Sequence, residues 1–411
     1  MKRRRAGLRL HRDEDGQMAI AMILTLLVVF LFFALAFDAG LWYFDHRTAQ
    51  NQADAAALAG ALDLPDTAEA QTAVNKWLDR NGSSAAEISC LDITADKVEV
   101  CVQRSSPGVF AALSGIDWVK ISARAVAMRI AQPVPFALMA MNESECSSLH
   151  LTGGSLINVD GTDESAGTYT RSDCDEALTI DGSNGRLIVG GNNDVYGGAN
   201  SRCLAGQCDP LPTSQEYFED PFASVPVPST AACANPKSPI TIPTNKSEPL
   251  SPGCYRQLSI NGTATLEPGV YILTRGISVS GTMTANNVTF YLTCPGGACN
   301  GDVPQAFNVS AEAEVTLSGR EEFENIAIFA DRTAGTNTGQ DLITVQGDGS
   351  STFSGAVYAI AGGVSFTGQS GTFPLNVAIV ADTITLGGGA MIDVTYDIDL
   401  IPPHYKLALI E

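Results

Sequence analysis

An unbroken apolar run opens the chain and passes directly into an alanine-rich stretch. Residues 18–37, MAIAMILTLLVVFLFFALAF, carry no charge. At about 1.5 Å per residue, a helix of this length crosses the roughly 30 Å hydrocarbon core of a bilayer. Helix-forming residues continue through 38–62 without a break. The pattern therefore predicts a transmembrane helix from Met18 to Phe37 that continues into a helical extension.

The block that follows, residues 63–130, switches between helical and strand-like periodicity. Ala70, Val74 and Leu78 recur at four-residue spacing ahead of an Asn-Gly pair. The spacing is typical of one helical face and the Asn-Gly pair is a stop signal. A helix over 67–82 is predicted.

Strand-like alternation comes after this helix. EISCLDI (87–93) and KVEVCVQ (97–103) are joined by Thr-Ala-Asp, which predicts a β-hairpin. A short helix in PGVFAALSG and a third strand over 118–130 complete a small α+β module. The apolar alternation of the third strand changes phase, which predicts a β-bulge near Ala125. Residues 131–145 are predicted to be a linker.

Helical periodicity disappears in the remainder of the chain, 146–411. Short segments alternate apolar residues with Ser or Thr and end on Gly, as in RLIVGG, ISVSG and TITLGG. Longer stretches recur, since VYILTRGISVSG (270–281) resembles VYAIAGGVSFTG (357–368). Repeated short strands predict an all-β right-handed parallel β-helix, a solenoid whose turns stack on one another. A β-sandwich is the alternative, and it explains the alternation but not the repeats.

A proline-rich segment, 210–252, interrupts these repeats. It holds ten of the 20 prolines in the chain. Because proline cannot donate a hydrogen bond to a strand ladder, the segment is predicted to be an extended connection lying over the β-helix. Cys233 and Cys254 are predicted to pin it near its end.

Basic residues are concentrated ahead of the apolar run. Six of the 24 Lys and Arg residues lie in 1–17, whereas the chain beyond residue 15 has 18 basic and 42 acidic side chains. Positive residues stay on the cytoplasmic side of a membrane. Residues 1–17 are therefore predicted to be a cytoplasmic tail, with everything after the span exported. A part so acidic is not expected to bind nucleic acid.

All ten cysteines follow the apolar run, and their number is even. In an oxidising compartment such cysteines are expected to form disulfides. Zinc is the weaker alternative, because no histidine lies near CLAGQC or CPGGAC. The sequence leaves the connectivity open. Proximity favours four pairs with two cysteines left over: Cys90 and Cys101, Cys203 and Cys208, Cys233 and Cys254, Cys294 and Cys299, with Cys146 and Cys174 remaining.

The residues around the membrane exit form a specific pattern. An aspartate and a glycine follow the apolar run, then a glutamine, then an aspartate inside ADAAALAGA, at positions Asp38, Gly40, Gln50 and Asp54. This pattern resembles the N-terminal segment of TadE/TadG-like proteins of the Flp pilus, or tight-adherence, system. The later stretches LEPGVYILTRGISVSG and NVTFYLT resemble the C-terminal region of one TadG-like branch.

The resemblance implies a structural protein of a bacterial pilus-assembly or adhesion apparatus. Its location would be the bacterial cytoplasmic (inner) membrane, spanned once, with the N-terminus cytoplasmic and the C-terminal domain periplasmic or extracellular. The β-helix would serve as a scaffold or adhesin. The expected partners are the inner membrane and other pilus or secretion components, together with self-association.

The helical extension 38–62 is predicted to be a docking helix. Small side chains recur every fourth residue, and such ridges let helices approach closely. The predicted partner surface is the 63–130 module, a second copy, or a related pilus component. The motif consists of the following residues: Asp38, Gly40, Gln50, Ala53, Asp54, Ala57 and Ala61.

Catalytic and metal chemistry is not predicted. A parallel β-helix is also the fold of pectin-degrading enzymes, so a polysaccharide-active enzyme of the cell envelope is the alternative function. Carboxylate pairs such as Asp160 with Asp163 and Asp173 with Asp175 are its candidates, but acids in Gly-rich loops usually form turns. We therefore expect neither an enzyme nor a cofactor.

Calcium and glycan remain unproven ligands. Acidic and amide side chains cluster in the loops 158–165, 181–185, 191–198 and 346–351. None of these loops reproduces an EF-hand or a nonapeptide calcium repeat. No metal site is predicted.

Overall fold

Two compact units make up the chain. The first is Met1–Gln132 with Tyr405–Glu411, and the second is Pro133–His404. The second unit thus begins inside the predicted linker and ends before the predicted boundary at 411. The computed structural model describes the following residues: 15–82, 87–161, 166–214, 217–293, 306–332, 341–347, 350–368, 371–389 and 391–410. Most of the predicted basic tail lies outside them.

A single helix of 48 residues, α1 (Asp15–Leu62), opens the first unit. No residue of its apolar part, 18–37, is buried, and this part is long and apolar enough to cross a membrane. Burial begins at Asp38, which is 2% exposed. The predicted continuation of the apolar helix into a 38–62 extension is therefore confirmed.

The second helix, α2 (Thr67–Arg80), has a clear start and stop. The carboxylate of Asp66 accepts hydrogen bonds from the backbone N–H groups of Ala68 and Glu69 at its N-terminus. Such a cap satisfies two donors that have no partner inside the helix. The helix ends at Asn81-Gly82, as the stop signal predicts.

Three antiparallel strands follow α2: β1 (Ile88–Ile93), β2 (Lys97–Pro107) and β3 (Trp118–Gln132). The predicted bulge in the third strand is wrong. Pairing of β2 with β3 runs unbroken from Lys97 opposite Met128 to Pro107 opposite Trp118. The phase change arises because Val126 is buried together with Ala125 and Ala127, so both faces of the strand are covered at this point.

A fourth strand, His404–Ile410, completes this sheet beside β3. It lies within the range predicted to be β-helix, so that part of the prediction is corrected. The Arg129 guanidinium stacks 3.6 Å from the ring centroid of Tyr405, and Leu407 packs against the core of the first unit. The C-terminal segment is thus an edge strand of the first unit.

Ending the chain at His404 is expected to destabilise the first unit. The loss should exceed the about 0.5–1 kcal/mol of the cation–π contact alone, because the strand's ladder and Leu407 are lost as well. Thermal unfolding followed by tryptophan emission checks this, since Trp42, Trp77 and Trp118 all lie in the first unit. A chain ending at Ile410 is the control, and equal melting temperatures would contradict the assignment.

Strands dominate the second unit from its start. The first nine are β4 (Phe136–Ala140), β5 (Leu149–Leu151), β6 (Leu156–Gly161), β7 (Gly167–Thr170), β8 (Leu178–Ile180), β9 (Arg186–Val189), β10 (Asn193–Val195), β11 (Cys208–Asp209) and β12 (Thr213–Ser214).

Sixteen more strands follow the proline-rich segment or lie at its end. They are β13 (Ile240–Ile242), β14 (Ser247–Leu250), β15 (Gly253–Tyr255), β16 (Leu258–Ile260), β17 (Thr263–Leu266), β18 (Gly269–Leu273), β19 (Gly276–Val279), β20 (Thr282–Ala285), β21 (Val288–Leu292), β22 (Ala306–Val309), β23 (Glu314–Ser318), β24 (Ile326–Ala330), β25 (Asp341–Gly347), β26 (Thr352–Gly368), β27 (Thr372–Gly388) and β28 (Met391–Tyr396). Short helical turns connect some elements: Ala111–Ser114, Cys203–Gln207, Ala231–Ala234, Glu321–Phe323 and Ile398–Leu400.

The strands of the second unit form one large parallel sheet. Most strands pair with the strand three places earlier and the strand three places later, as β18 does with β15 and β21. The 17-residue strand β26 pairs with β23, β24 and β25 along its length. Three lines of stacked strands result. The alternative, a β-sandwich of antiparallel sheets, does not describe this pairing.

The spatial order of the strands differs from their order in the chain. The late strand β27 pairs with β4 and β5, and β28 pairs with β6. The first strands of the unit therefore lie in the middle of the sheet. One of its ends is formed by β13, β14 and β15, and the other by β8, β11 and β12. Tyr396 donates a hydrogen bond to the carbonyl of Val134 at 2.7 Å, which links the last strand of the second unit to the segment that precedes its first strand.

The chain must travel between the two ends of the sheet after β12. Residues 217–239, which we call the strap, make this connection. Phe218 packs edge-on against Phe136 of β4, and Phe222 packs against Tyr358 of β26. A disulfide then joins Cys233 to Cys254 of β15, at the far end.

Of the range 210–252, predicted to be an extended connection, the strap is the part that connects β12 to β13, whereas other parts form strands. Strands β12, β13 and β14 fall inside that range and belong to the parallel sheet. Pro249 of β14 pairs with Thr265 of β17. Proline is tolerated in β14 because this strand is the last of its line. Its outer edge has no neighbouring strand that would need a hydrogen bond from the proline nitrogen.

Candidate functional site

The residues predicted to form a docking motif lie on the packed half of α1. Asp38 stands directly after the apolar part, and its carboxylate faces the turn between β2 and β3. It accepts hydrogen bonds from three successive backbone N–H groups, those of Val109, Phe110 and Ala111, at 2.6–3.2 Å. Bonds to a charged acceptor are stronger than neutral ones. Asp38 therefore fastens this turn to the start of the extension.

A second fastening lies one and two helical turns further along α1. The indole N–H of Trp42 donates to the carbonyl of Pro107 at 3.2 Å. The Asp45 carboxylate accepts a 2.5 Å hydrogen bond from the fully buried hydroxyl of Ser106. Both contacts hold the end of β2 against the helix.

Polar side chains also join the middle of the extension to the sheet. The amide of Gln50 donates both to Asp54, one turn on, and to the carbonyl of Arg124 in β3. The Arg124 guanidinium in turn donates to Glu99 at 2.7 Å, and this bond lowers the pKa of that carboxyl. Gln50 thus links α1 to β3, within a chain of contacts that continues to β2.

Gln52 makes a structural contact that the sequence pattern did not predict. It is 6% exposed, and its amide donates to the carbonyl of Asn81 at the end of α2. Its carbonyl oxygen accepts from Arg104 of β2 at 3.3 Å. One side chain therefore joins three elements. The signal was its position two residues from Gln50, on the face that carries the alanines.

The alanine ridge of the extension is buried within the first unit. Ala49, Ala53, Ala57 and Ala61 are all fully buried, in a cluster with Val74 and other apolar residues of α2, β2 and β3. A Cβ added at the neighbouring Gly60 would lie 2.7 Å from a methyl of Val74. Of the three predicted partners for the ridge, the structure shows the 63–130 module.

This packed and apolar helix is what the family comparison recognises. Residues 16–63 match the model of the Flp pilus-assembly TadE/G-like family. The segment is TadE/G-like. The match covers both halves of α1, including Asp38, Gly40, Gln50 and Asp54, and it does not extend to the second unit. The chain matches no curated protein and no solved structure.

The TadE/G-like segment leaves one face of its packed half exposed. Gly40 is exposed, and a Cβ added there would meet no atom within 4 Å. Tyr43, Phe44 and Asn51 are exposed on the same half of the helix. Gly40 therefore differs from the other motif residues, because no contact among the described residues of the first unit explains a glycine at this position.

The candidate residues of the alternative, enzymatic function do not form a buried site. Asp160, Asp173 and Asp175 are exposed, and Asp163 lies outside the described residues. Of the loops considered for calcium, 158–165 and 346–351 lie partly outside the described residues. In 191–198, Asp194 accepts a hydrogen bond from the hydroxyl of Thr213 in β12 at 2.6 Å. Burial raises the pKa of Asp194.

One group of side chains in the described ranges has the composition and proximity of a metal site. It consists of Cys90, Glu99 and Cys101. The two cysteines are bonded to each other, and Glu99 is held by Arg124 and Lys97. Thiolate ligands are therefore not available there in the oxidised protein.

The described cysteines are all in disulfides. The structure pairs Cys90 with Cys101, Cys146 with Cys174, Cys203 with Cys208, and Cys233 with Cys254. Three of these pairs join cysteines that lie close together in the sequence, and Cys146 with Cys174 joins the two that were left over. Cys294 and Cys299 lie outside the described residues.

Replacing Asp38 with asparagine is expected to loosen the turn that it holds. The amide keeps one acceptor oxygen, loses the charge and turns an N–H₂ toward backbone donors. Hydrogen bonds to charged groups contribute about 1.5–3 kcal/mol each to stability, so hydrogen exchange should accelerate at Val109, Phe110 and Ala111. Asp63→Asn, at an exposed position, is the matched control. Unchanged protection in both variants would show that the contact carries no stability.

Proposed function

We propose that the chain is a membrane-anchored structural component of a bacterial Flp pilus-assembly or adhesion apparatus. One observation carries the proposal. Residues 16–63 match the Flp pilus-assembly TadE/G-like family, and the part of that segment after the apolar run is built into a folded unit through Asp38, Gln50, Gln52 and the alanine ridge.

The proposed location is the bacterial cytoplasmic (inner) membrane, spanned once by residues 18–37. The basic residues of 1–17 favour a cytoplasmic N-terminus. Four disulfides beyond the span favour an oxidising compartment for the remainder, periplasmic or extracellular. The inner membrane and other pilus components are the proposed partners.

The second unit is proposed to be a right-handed parallel β-solenoid that serves as a scaffold or adhesin. Three lines of parallel strands support this architecture, with the long strands β26 and β27 contributing to more than one line. A structural role is proposed over an enzymatic one because the described candidate acids are exposed and mutually unlinked, and acid–base work on glycans needs carboxylates held at set separations.

Gene deletion followed by complementation tests the proposal. Loss of pili and of surface attachment, restored by the full chain, is the expected result. A chain in which Ala53 and Ala57 are both leucine should insert in the membrane but fail to restore them. Normal piliation in the deletion strain would overturn the proposal. Turnover of a polysaccharide by the purified full chain, abolished by a single Asp→Asn change, would favour the enzyme instead.

A further inference from the structure

The turn between β2 and β3 presents a concentrated apolar surface. We call residues 107–118, PGVFAALSGIDW, the apolar tip. It contains one charged residue, Asp117. Leu113 is 90% exposed and Trp118 is 65% exposed. Three further apolar side chains of the tip are also exposed: Val109, Phe110 and Ile116. Exposed apolar patches of this kind mark binding surfaces for membranes or proteins.

The position of the tip relative to α1 favours a membrane. Backbone N–H groups of the tip donate hydrogen bonds to the carboxylate of Asp38, the residue that directly follows the apolar part of the helix. The ring of Phe37, the last apolar residue, packs edge-on against Phe110 with centroids 5.7 Å apart. If 18–37 spans a bilayer, the tip lies at the level where the hydrocarbon core meets the headgroups.

Many backbone N–H groups of the tip have hydrogen-bond acceptors within the protein, as an environment with little water requires. Val109, Phe110 and Ala111 donate to Asp38. Several other N–H groups of the tip donate to carbonyls inside it: that of Ile116 donates to Ala111, and that of Gly108 donates to Asp117. Unsatisfied backbone groups are costly in lipid. Tryptophan is moreover enriched at the interface of membrane proteins.

We propose that the apolar tip inserts into the outer interfacial layer of the same bilayer that α1 spans. The inference rests on the proposed membrane anchoring of residues 18–37. The tip then provides a second attachment beside the helix, and Asp38 acts as the positioning residue that sets its depth. A lipid surface is the occupant because the tip is continuous with the lipid-facing part of α1 through Phe37 and Phe110.

Depth-dependent fluorescence quenching tests this in the full chain reconstituted in phosphatidylcholine vesicles. A cysteine replaces Leu113 and carries an environment-sensitive dye, and brominated lipids supply the quencher. Leu31→Cys, in the apolar part of α1, is the positive control. Leu62→Cys, exposed at the other end of the same helix, is the negative control. The unsubstituted chain sets the labelling background.

The expected result is strong quenching at Leu31 and Leu113 and none at Leu62. Interfacial elements lie about 5–10 Å into the headgroup boundary, so bromines near the carbonyl end of the acyl chain should quench the dye at Leu113 more than bromines near its terminus. Adding Asp38→Asn should reduce the quenching at Leu113 and leave that at Leu31 unchanged.

Other outcomes are distinguishable. Quenching at Leu31 without quenching at Leu113 would overturn the tip insertion while leaving the anchor intact. Absence of quenching at both sites would remove the anchoring on which the inference rests. A blue-shifted dye at Leu113 that lipid bromines do not quench, with crosslinking between two chains at this position, would show that a second copy covers the tip.

Discussion

Replacing Ala53 or Ala57 with leucine is expected to lower the free energy of unfolding of the first unit by about 1–3 kcal/mol per site. Both side chains are fully buried where α1 meets α2 and the sheet. Added methylenes in a close-packed core force neighbouring side chains and backbone to shift. Tryptophan emission during thermal unfolding measures the effect in the first unit alone, because all three tryptophans lie there.

Asn51→Leu is the matched control for these changes. Asn51 is exposed on the same helix, so the added side chain meets no packed surface. A melting temperature equal to that of the parent chain is expected. Should Ala53→Leu and Ala57→Leu melt like Asn51→Leu, the ridge would not be part of the core. If these variants nevertheless lost binding to another pilus component, the loss could not be explained by the packing of the ridge on α2 and the sheet.

The extension of α1 was largely predictable because its signals are local. Unbroken apolar and alanine-rich sequence indicates one helix, and four-residue spacing of small side chains indicates a packing ridge. The identity of its partner was not predictable, since an alanine ridge fits any close surface. The partner of Asp38 depends on a turn some 70 residues away in the chain, which no local pattern encodes.

The strands of the second unit were predictable individually, and their arrangement was not. Alternation and glycine turns locate segments such as β18 and β19. Their stacking order follows from pairings of β27 with β4 and β28 with β6, which join residues far apart in the sequence. Segments with interchangeable xΦxΦ patterns, where Φ is apolar, carry little information about which neighbour they choose.

The C-terminal strand illustrates the same limit. HYKLALI follows the repeated strands directly in the sequence, so it fell within the range 146–411 that was predicted to be β-helix. Its place beside β3 is decided by long-range contacts, including Arg129 with Tyr405 and Leu407 with the core. The proline content of the strap was by contrast a usable signal, because proline excludes a segment from the interior of a sheet.

Replacing Phe222 with alanine is expected to destabilise the second unit by about 3–5 kcal/mol. Phe222 is fully buried against Tyr358, with ring centroids 5.5 Å apart. The Arg332 guanidinium donates to the carbonyls of Phe222 and Val225 at 2.5 and 2.9 Å. The ring thus anchors the middle of the strap, which connects the two ends of the parallel sheet.

Calorimetry of the full chain and limited proteolysis of the strap measure this loss. Val227→Ala is the matched control, because Val227 lies on the same strap and is 48% exposed. The Cys233–Cys254 disulfide still fixes the far end of the strap in both variants, so cleavage should accelerate between residues 217 and 232 in Phe222→Ala only. If both variants melt and resist protease alike, the strap rests on the sheet without stabilising it. The burial of Phe222 would then be a consequence of the path that the connection takes, and it would not contribute to stability.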